Sequence, residues 1–388
     1  MNKISAFFIS LLFAFGSLLA QDHVLLNGSV DKKDYSFTIP FEYEQNMIII
    51  RPEIYGKKRK FVIDTGAPTS ITHAFAEELN LQTTSKTPII DAYNHVDSVS
   101  MVIMPDIKIA DVNFTKIGAI VTSPFFHECI HLDGMIGSNL FQNSVVQFLF
   151  KEKIIIISSN VKHHHLKNNL ITDLYLGYYK NPYLLIKINS TITDNVLFDT
   201  GASEFFTMSG KIFNNFKTDL DTTKIEIGNG ACGFGAFGIE EHGEKQRAVL
   251  ENIIFCGTKF TNVPVIPANT NESRIGVFML QHGDVTIDYV YSKLYFKPYK
   301  QEFNKHKKMW NINPTFYRGK TIVGYVWGET AKEVCFGDEI VSIDKKPVTF
   351  SSFCEYFFYT GFYTKKRKHI LVIKTVKGEL KTINMIKK

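Results

Sequence analysis

The chain reads "VIDTGAPTS" over residues 62–70 and "LFDTGASEF" over residues 197–205. Asp-Thr-Gly-Ala therefore occurs twice, each time directly after a short apolar run. The similarity extends outward on both sides. Upstream, "MIIIRPEIYGKKRKFVIDTGA" from Met47 and "YLLIKINSTITDNVLFDTGA" from Tyr183 share one layout: a β-rich run, a polar turn and a second β-rich run ending on the aspartate. That layout predicts a hairpin that delivers Asp64 or Asp199 to a strand end. Downstream, short helices are expected at "HAFAEEL" and "SGKIFNNF". A second block follows in each half, Met135-Ile136-Gly137 and Arg274-Ile275-Gly276, each leading to two strand-like runs joined by a turn at Lys153 or Lys293. Two matched blocks in the same order describe an internal duplication of one β-rich lobe.

Duplication has a chemical use. A lone aspartate is ionised near neutral pH and has no proton to donate. Two carboxylates brought together resist double ionisation and share one proton, so one serves as general base while the other serves as general acid. A pseudo-twofold pairing of the lobes would place Asp64 beside Asp199. Gly66 and Gly201 would let two backbones approach closely, and the hydroxyls of Thr65 and Thr200, which both donate and accept, suit a tie across the axis.

On these residues each half resembles a retropepsin-type lobe, and the chain resembles a two-lobed, pepsin-like aspartic protease over residues 40–300. The resemblance implies a mainly β, bilobal acid-protease fold with Asp64 and Asp199 as the catalytic pair. It further implies loop support from Thr65, Gly66, Thr200 and Gly201. Ala67 and Ala202, next along each loop, fall on the substrate side. Retroviral relatives follow the later glycine with Arg-Asn; here the residues are Ser138-Asn139 and Val277-Phe278, so the retroviral ion pairs are not expected. A cover over the dyad is expected from "GNGACGFGAFG" (228–238), with Phe234 and Phe237 as substrate contacts, and from "DAYNHVDSVS" (91–100).

Beyond residue 309 the pattern changes. Gly337-Asp338-Glu339-Ile340, Ile343-Asp344 and Pro347-Val348, preceded by Glu329-Thr330-Ala331, resemble a PDZ domain of the bacterial type. Such domains take peptides as an added strand, and "FYRGKTI" (316–322) is expected near the end-binding loop. The domain reading is a leader at 1–20, an N-terminal lobe at 21–168, a C-terminal lobe at 169–309 and a PDZ-like unit at 310–388. "SSNVKHHHLKNN" (158–169) is read as a solvated linker.

"HECIH" (127–131) competes as a His-Glu-x-x-His zinc motif. The position of a third ligand is taken by Gly137, and a two-histidine site is incomplete, so neither a metal nor a cofactor is expected. Lys3 followed by "ISAFFISLLFAFGSLLA" has the pattern of a secretory leader, which predicts an exported protein, periplasmic or secreted, with no later membrane span. The net charge of +6 is mild and spread along the chain apart from "TKKRKH" (364–369), a short run read as a solvated loop, so nucleic acid is not expected as a partner. Polypeptide substrate, a peptide ligand for the PDZ-like unit and a monomeric state are the expectations. Five cysteines lack a Cys-x-x-Cys pair; proximity in sequence favours Cys232 with Cys256 and Cys335 with Cys354 if any oxidise, and buried free thiols for most of them are an equal alternative. The leading functional reading is an aspartic endopeptidase; the alternatives are an inactive peptide-binding scaffold and a zinc protease.

Overall fold

The structure is a computed structural model that describes residues 23–124, 126–189, 192–217, 225–270 and 272–388. The leader expected at 1–20 lies outside the described residues. The fold is mainly β, with two related lobes and a third β-rich unit.

Each aspartate arrives as the duplication predicts. In the second lobe, Pro182–Ile188 and Ile192–Asp199 form an antiparallel hairpin in which Tyr183 faces Leu197. Leu184, Ile186 and Ile188 point inward while Leu185 and Lys187 point out, the period-two pattern of a sheet with one wet face. In the first lobe Met47–Ile50 pairs with Phe61–Asp64, and the intervening chain makes a small ribbon from Glu53–Ile54 and Lys57–Lys58. Both aspartate strands then gain a parallel neighbour from the second sequence block. Asp64 sits opposite Gly137 and Asp199 opposite Gly276. A strand flanked on both sides must be apolar on both faces, which is why Phe61, Val62 and Ile63 are all buried.

The lobes join through one six-stranded sheet. Val145–Leu149 of the first lobe pairs antiparallel with Gly283–Asp288 of the second, and each is flanked by two more strands of its own lobe. The turns at Lys153 and Ser292 have left-handed backbone. The hydrophobic core runs without a break from Tyr35 through Ile63 and Phe198 to Phe296, so the two lobes share one interior. The expected helices form at His73–Glu78 and Gly210–Phe216.

The third unit has its own core around Ile312, Val323, Ile340, Leu371 and Met385. Its first hairpin, Ile312–Tyr317 with Lys320–Trp327, turns at Arg318 and Gly319, both left-handed, so the "FYRGKTI" segment is a hairpin tip. The unit is attached to both lobes by different means. Glu226–Gly230 of the second lobe adds to its sheet, Gly228 facing Trp327 and Gly230 facing Tyr325. Gly230 has φ 132°, and a Cβ there would strike the carbonyl of Gly324, so only glycine fits. Arg247 reinforces this seam: buried, it donates to Glu226 and to the Trp310 carbonyl (2.6 Å) and lies over the Trp327 ring.

On the first-lobe side the attachment is covalent. Cys129, on the short helix Phe126–Ile130, is disulfide-bonded to Cys354 on the helix Phe353–Phe358, 225 residues away. The pairings favoured by proximity are therefore corrected. Cys256 is buried, Cys232 lies against the Asn313 carbonyl, and Cys335 is an exposed thiol. Chain proximity misled because the two helices meet only once the third unit folds back onto the first lobe. The expected linker is also more ordered than its composition suggested: His164 is buried, bonded to Ser158 (2.7 Å) and Gln147 (3.2 Å).

Candidate active site

The two Asp-Thr-Gly loops meet at the lobe boundary. Each threonine hydroxyl reaches into the other lobe: Thr65 Oγ1 donates to the Phe198 carbonyl (2.6 Å) and accepts from the Thr200 amide (3.0 Å), while Thr200 Oγ1 donates to the Ile63 carbonyl (2.8 Å) and accepts from the Thr65 amide (3.1 Å). Four buried hydrogen bonds thus form a closed, twofold-related knot, with both threonines fully enclosed. Polar groups buried this way are costly to leave unpaired, so the knot fixes the separation of the two loops.

That separation puts the carboxylates together. A Cβ on Gly66 would collide with the Asp199 carboxyl, and one on Gly201 with the Asp64 carboxyl, so each glycine makes room for the opposite aspartate. Asp64 Oδ1 accepts from the Gly66 amide (2.9 Å); Asp199 Oδ1 accepts from the amides of Gly201 (2.9 Å) and Ala202 (3.2 Å). Burial first, and the charge of Asp199 next, push the Asp64 carboxyl well above the ordinary carboxylate range. The pair therefore meets the physical requirement for a dyad that holds one proton. Behind the first loop, Ser138 donates to the Thr65 carbonyl (2.8 Å) and bonds the Tyr289 hydroxyl (3.0 Å), and Asn139 accepts from the Thr69 amide and hydroxyl (both 2.8 Å).

A cation stands at the second aspartate. Arg274, two residues before Gly276, places Nε 3.7 Å from Asp199 Oδ2 and Nη2 3.3 Å from Glu272 Oε1. Tyr183 donates to the other oxygen of Glu272 (2.6 Å). The equivalent position in the first lobe is Met135. In the sequence the signal is a charged residue in a block that is otherwise apolar.

The dyad is roofed. The hairpin Ser85–Ile90 with Val96–Ile103 presents its tip, 91–95, to the second-lobe segment 231–242. Asp91, its side chain fully enclosed, accepts from the amides of Tyr93 (2.8 Å), His95 (3.0 Å) and, across the cleft, Phe237 (3.1 Å). On the far side Glu240 accepts from the amides of Cys232 (2.8 Å) and Gly233 (2.9 Å), from Lys245 (2.8 Å) and from the Tyr325 hydroxyl of the third unit. Both expected cover segments are thus brought together. Phe237 packs beside Val99, Met101 and Ile120, and Phe234 lies edge-on to Phe353 of the third unit, 5.4 Å between centroids. Asp91 and Glu240 were not anticipated: a single acid inside a polar loop carries no periodic signal.

Among the described residues, no group of three or more His, Cys, Asp or Glu side chains is placed to hold a metal ion. In the "HECIH" segment His127 is buried without a hydrogen-bond partner for either ring nitrogen, which lowers its pKa to about 4, while His131 is exposed. Cys129, between them, is the disulfide partner of Cys354.

Residues 50–140 match the aspartyl protease family. No curated protein sequence matches the chain. Among solved structures, the chain is similar to basic 7S globulin from soybean, at 10% identity and a TM-score of 0.42, covering 68% of this chain and 95% of that one. It is also similar to a retropepsin-like aspartic protease from Rickettsia conorii, at 17% identity and a TM-score of 0.25, covering 32% of this chain and 93% of that one. The chain has an aspartic-protease-like fold, and the family match together with the dyad supports aspartic-protease chemistry in general terms.

Proposed function

We propose that the protein is an exported aspartic endopeptidase that hydrolyses peptide bonds with a water activated between Asp64 and Asp199. The observation that carries the reading is the threonine knot, which holds two carboxyls from different lobes in mutual contact with one raised well above its usual range. One carboxylate takes a proton from the water as its oxygen attacks the scissile carbonyl. The protonated partner gives its proton to the carbonyl oxygen, and a proton then passes to the leaving nitrogen as the C–N bond breaks. Extended polypeptide would lie in the cleft between the lobes, beneath the 91–95 and 231–242 segments, whose closure excludes water from the reacting centre.

The third unit is proposed to dock peptide. The reading rests on the motif residues of the sequence and on a strand, Ile312–Tyr317, that pairs with Lys320–Trp327 on one side, the kind of element that strand addition uses; Tyr356 of the helix Phe353–Phe358 donates to its Pro314 carbonyl (3.0 Å). Export rests on the charged and apolar pattern of residues 1–20; among the described residues no helix is long and apolar enough to cross a membrane.

The deciding experiment is hydrolysis of a mixed peptide library from about pH 3 to pH 8 by the wild type and by Asp64→Asn and Asp199→Asn. Cleavage that either substitution abolishes supports the reading. No cleavage by the wild type leaves peptide binding as the function to test, and cleavage that survives both substitutions overturns the dyad as its source.

A further inference from the structure

The dyad is built from a duplicated motif, yet its two halves are electrically unequal. Asp199 receives two backbone N–H groups on Oδ1 and faces Arg274 on Oδ2; Asp64 receives one N–H and, among the described residues, pairs with no cation of its own lobe, where Met135 holds the register position of Arg274. Arg274 is held in place. Its side chain is 18% exposed, its Nη2 is taken by Glu272, Glu272 is in turn held by the Tyr183 hydroxyl, and Nε is enclosed with no hydrogen-bond partner. A guanidinium whose enclosed Nε–H has no hydrogen-bond partner and lies 3.7 Å from a carboxylate oxygen acts on that carboxylate by charge at short range.

Building on the protease reading, we propose that Arg274 is a positioning residue of the dyad: its guanidinium keeps Asp199 as the ionised partner and leaves the shared proton on Asp64. The consequence for mechanism is an assignment. Asp199 takes the proton from the attacking water, and Asp64 supplies the proton to the carbonyl oxygen. Other ionisable groups face the same spot and are part of the balance. Glu272 lies two residues before Arg274, Tyr183 comes from the strand paired with that of Asp199, Tyr93 comes from the 91–95 tip, and Tyr289 backs the first loop through Ser138. Glu204, after the second loop, is exposed at the surface within range of the Asp199 charge. Arg274 is the cation that the charges of Asp64, Asp199 and Glu272 all act upon.

The sign follows from charge. A nearby cation favours every deprotonated state of the pair, so removing it raises both steps of the dyad's titration. The test compares full-length mature wild type, Arg274→Gln and Arg274→Lys in kcat/KM against pH, alongside titration of the dyad carboxyls by carbon-13 NMR with labelled aspartate. The expected result is that both limbs of the Arg274→Gln profile move up by about one pH unit, while Arg274→Lys, which keeps the charge, stays near the wild type. Superimposable profiles overturn the proposal. So does a loss of activity in Arg274→Gln that is equal at every pH, or one confined to substrates with acidic side chains, which would make Arg274 a specificity residue. If the wild type cuts nothing, the protease reading fails on its own. The carboxyl titrations still decide this proposal: an upward move of the lower step in Arg274→Gln supports it, and an unmoved step overturns it.

Discussion

The two lobes deliver their aspartates by the same hairpin and parallel-strand arrangement, but they brace them with different materials. Behind Asp64, Ser138 and Asn139 tie the loop with hydrogen bonds to Thr65 and Thr69. Behind Asp199, the same positions are Val277 and Phe278, the valine buried and the phenylalanine packed on the core. In front, Arg274 faces Asp199 where Met135 stands in the first lobe. What the lobes share is what the pseudo-twofold axis touches: aspartate, threonine and glycine. Groups on the axis must satisfy two lobes at once, whereas groups off it answer only to their own lobe and have diverged. The third unit repeats the contrast, since it is joined to the first lobe by the Cys129 to Cys354 disulfide and to the second by strand pairing.

The largest expected effect tests the symmetry at the axis. Asp64→Asn and Asp199→Asn should each lower kcat/KM by roughly 10³–10⁴-fold, and the double variant should be no worse than either, because the pair acts as a unit. Steady-state rates on one cleavable peptide check this. A double variant that multiplies the two losses would mean that each lobe works alone.

A smaller effect separates the two attachments of the third unit. Replacing Cys129 with Ala should reduce unfolding free energy by about 2–4 kcal/mol, chiefly by releasing a long closed loop in the unfolded chain. The amides of Tyr325, Val326 and Trp327 should stay protected from hydrogen exchange, since the Glu226–Gly230 strand and Arg247 still hold that seam. Denaturant unfolding and exchange measured on the same protein would show whether the strand seam stands without the disulfide. Loss of protection at those amides would make the disulfide the main anchor.

Thr65→Val and Thr200→Val probe the knot. Each removes a hydroxyl and leaves one carbonyl and one amide unpaired in a buried place, so each should cost about 1–3 kcal/mol. The two losses should be equal within experimental error and less than additive together, because the bonds close one ring. Thermal unfolding of the two single variants and the double variant measures that coupling. Unequal losses would show that the knot is anchored in one lobe.

The parts of this molecule that were legible in the sequence are those that repeat. Duplicated Asp-Thr-Gly blocks gave away the hairpins, the helices after them and the pairing of Asp64 with Asp199, because periodicity and turn chemistry are local. What was not legible depends on contacts between distant loops. Asp91 and Glu240 look like ordinary loop acids until the chain brings Phe237 to one and Tyr325 to the other. Cys354 was paired with its neighbour Cys335, since nothing in the sequence says that the Phe353–Phe358 helix packs on Phe126–Ile130. Arg274 stands out in the sequence as a charge beside the glycine the fold needs, but its partners Asp199 and Glu272 are brought around it only by the fold.

That charge offers the smallest and sharpest test of the asymmetry between lobes. Glu272 competes with Asp199 for the Arg274 guanidinium and adds a negative charge of its own beside the dyad. If Asp199 is held ionised by Arg274, Glu272→Gln frees the cation for Asp199 and removes a repelling anion. Both changes favour deprotonation of the pair, so the limbs of the pH profile should move down, opposite to Arg274→Gln. The shift should be only a few tenths of a unit because Glu272 is about a third exposed and solvent and salt screen its charge. Raising the salt concentration should shrink the Glu272→Gln shift further and leave most of the Arg274→Gln shift in place, since the more enclosed charge is screened less. A downward shift from one neighbour and an upward shift from the other cannot both come from loosened packing. An upward shift in Glu272→Gln would instead mean that the carboxylate serves mainly to hold Arg274 in position, and that the guanidinium leaves Asp199 when that hold is lost.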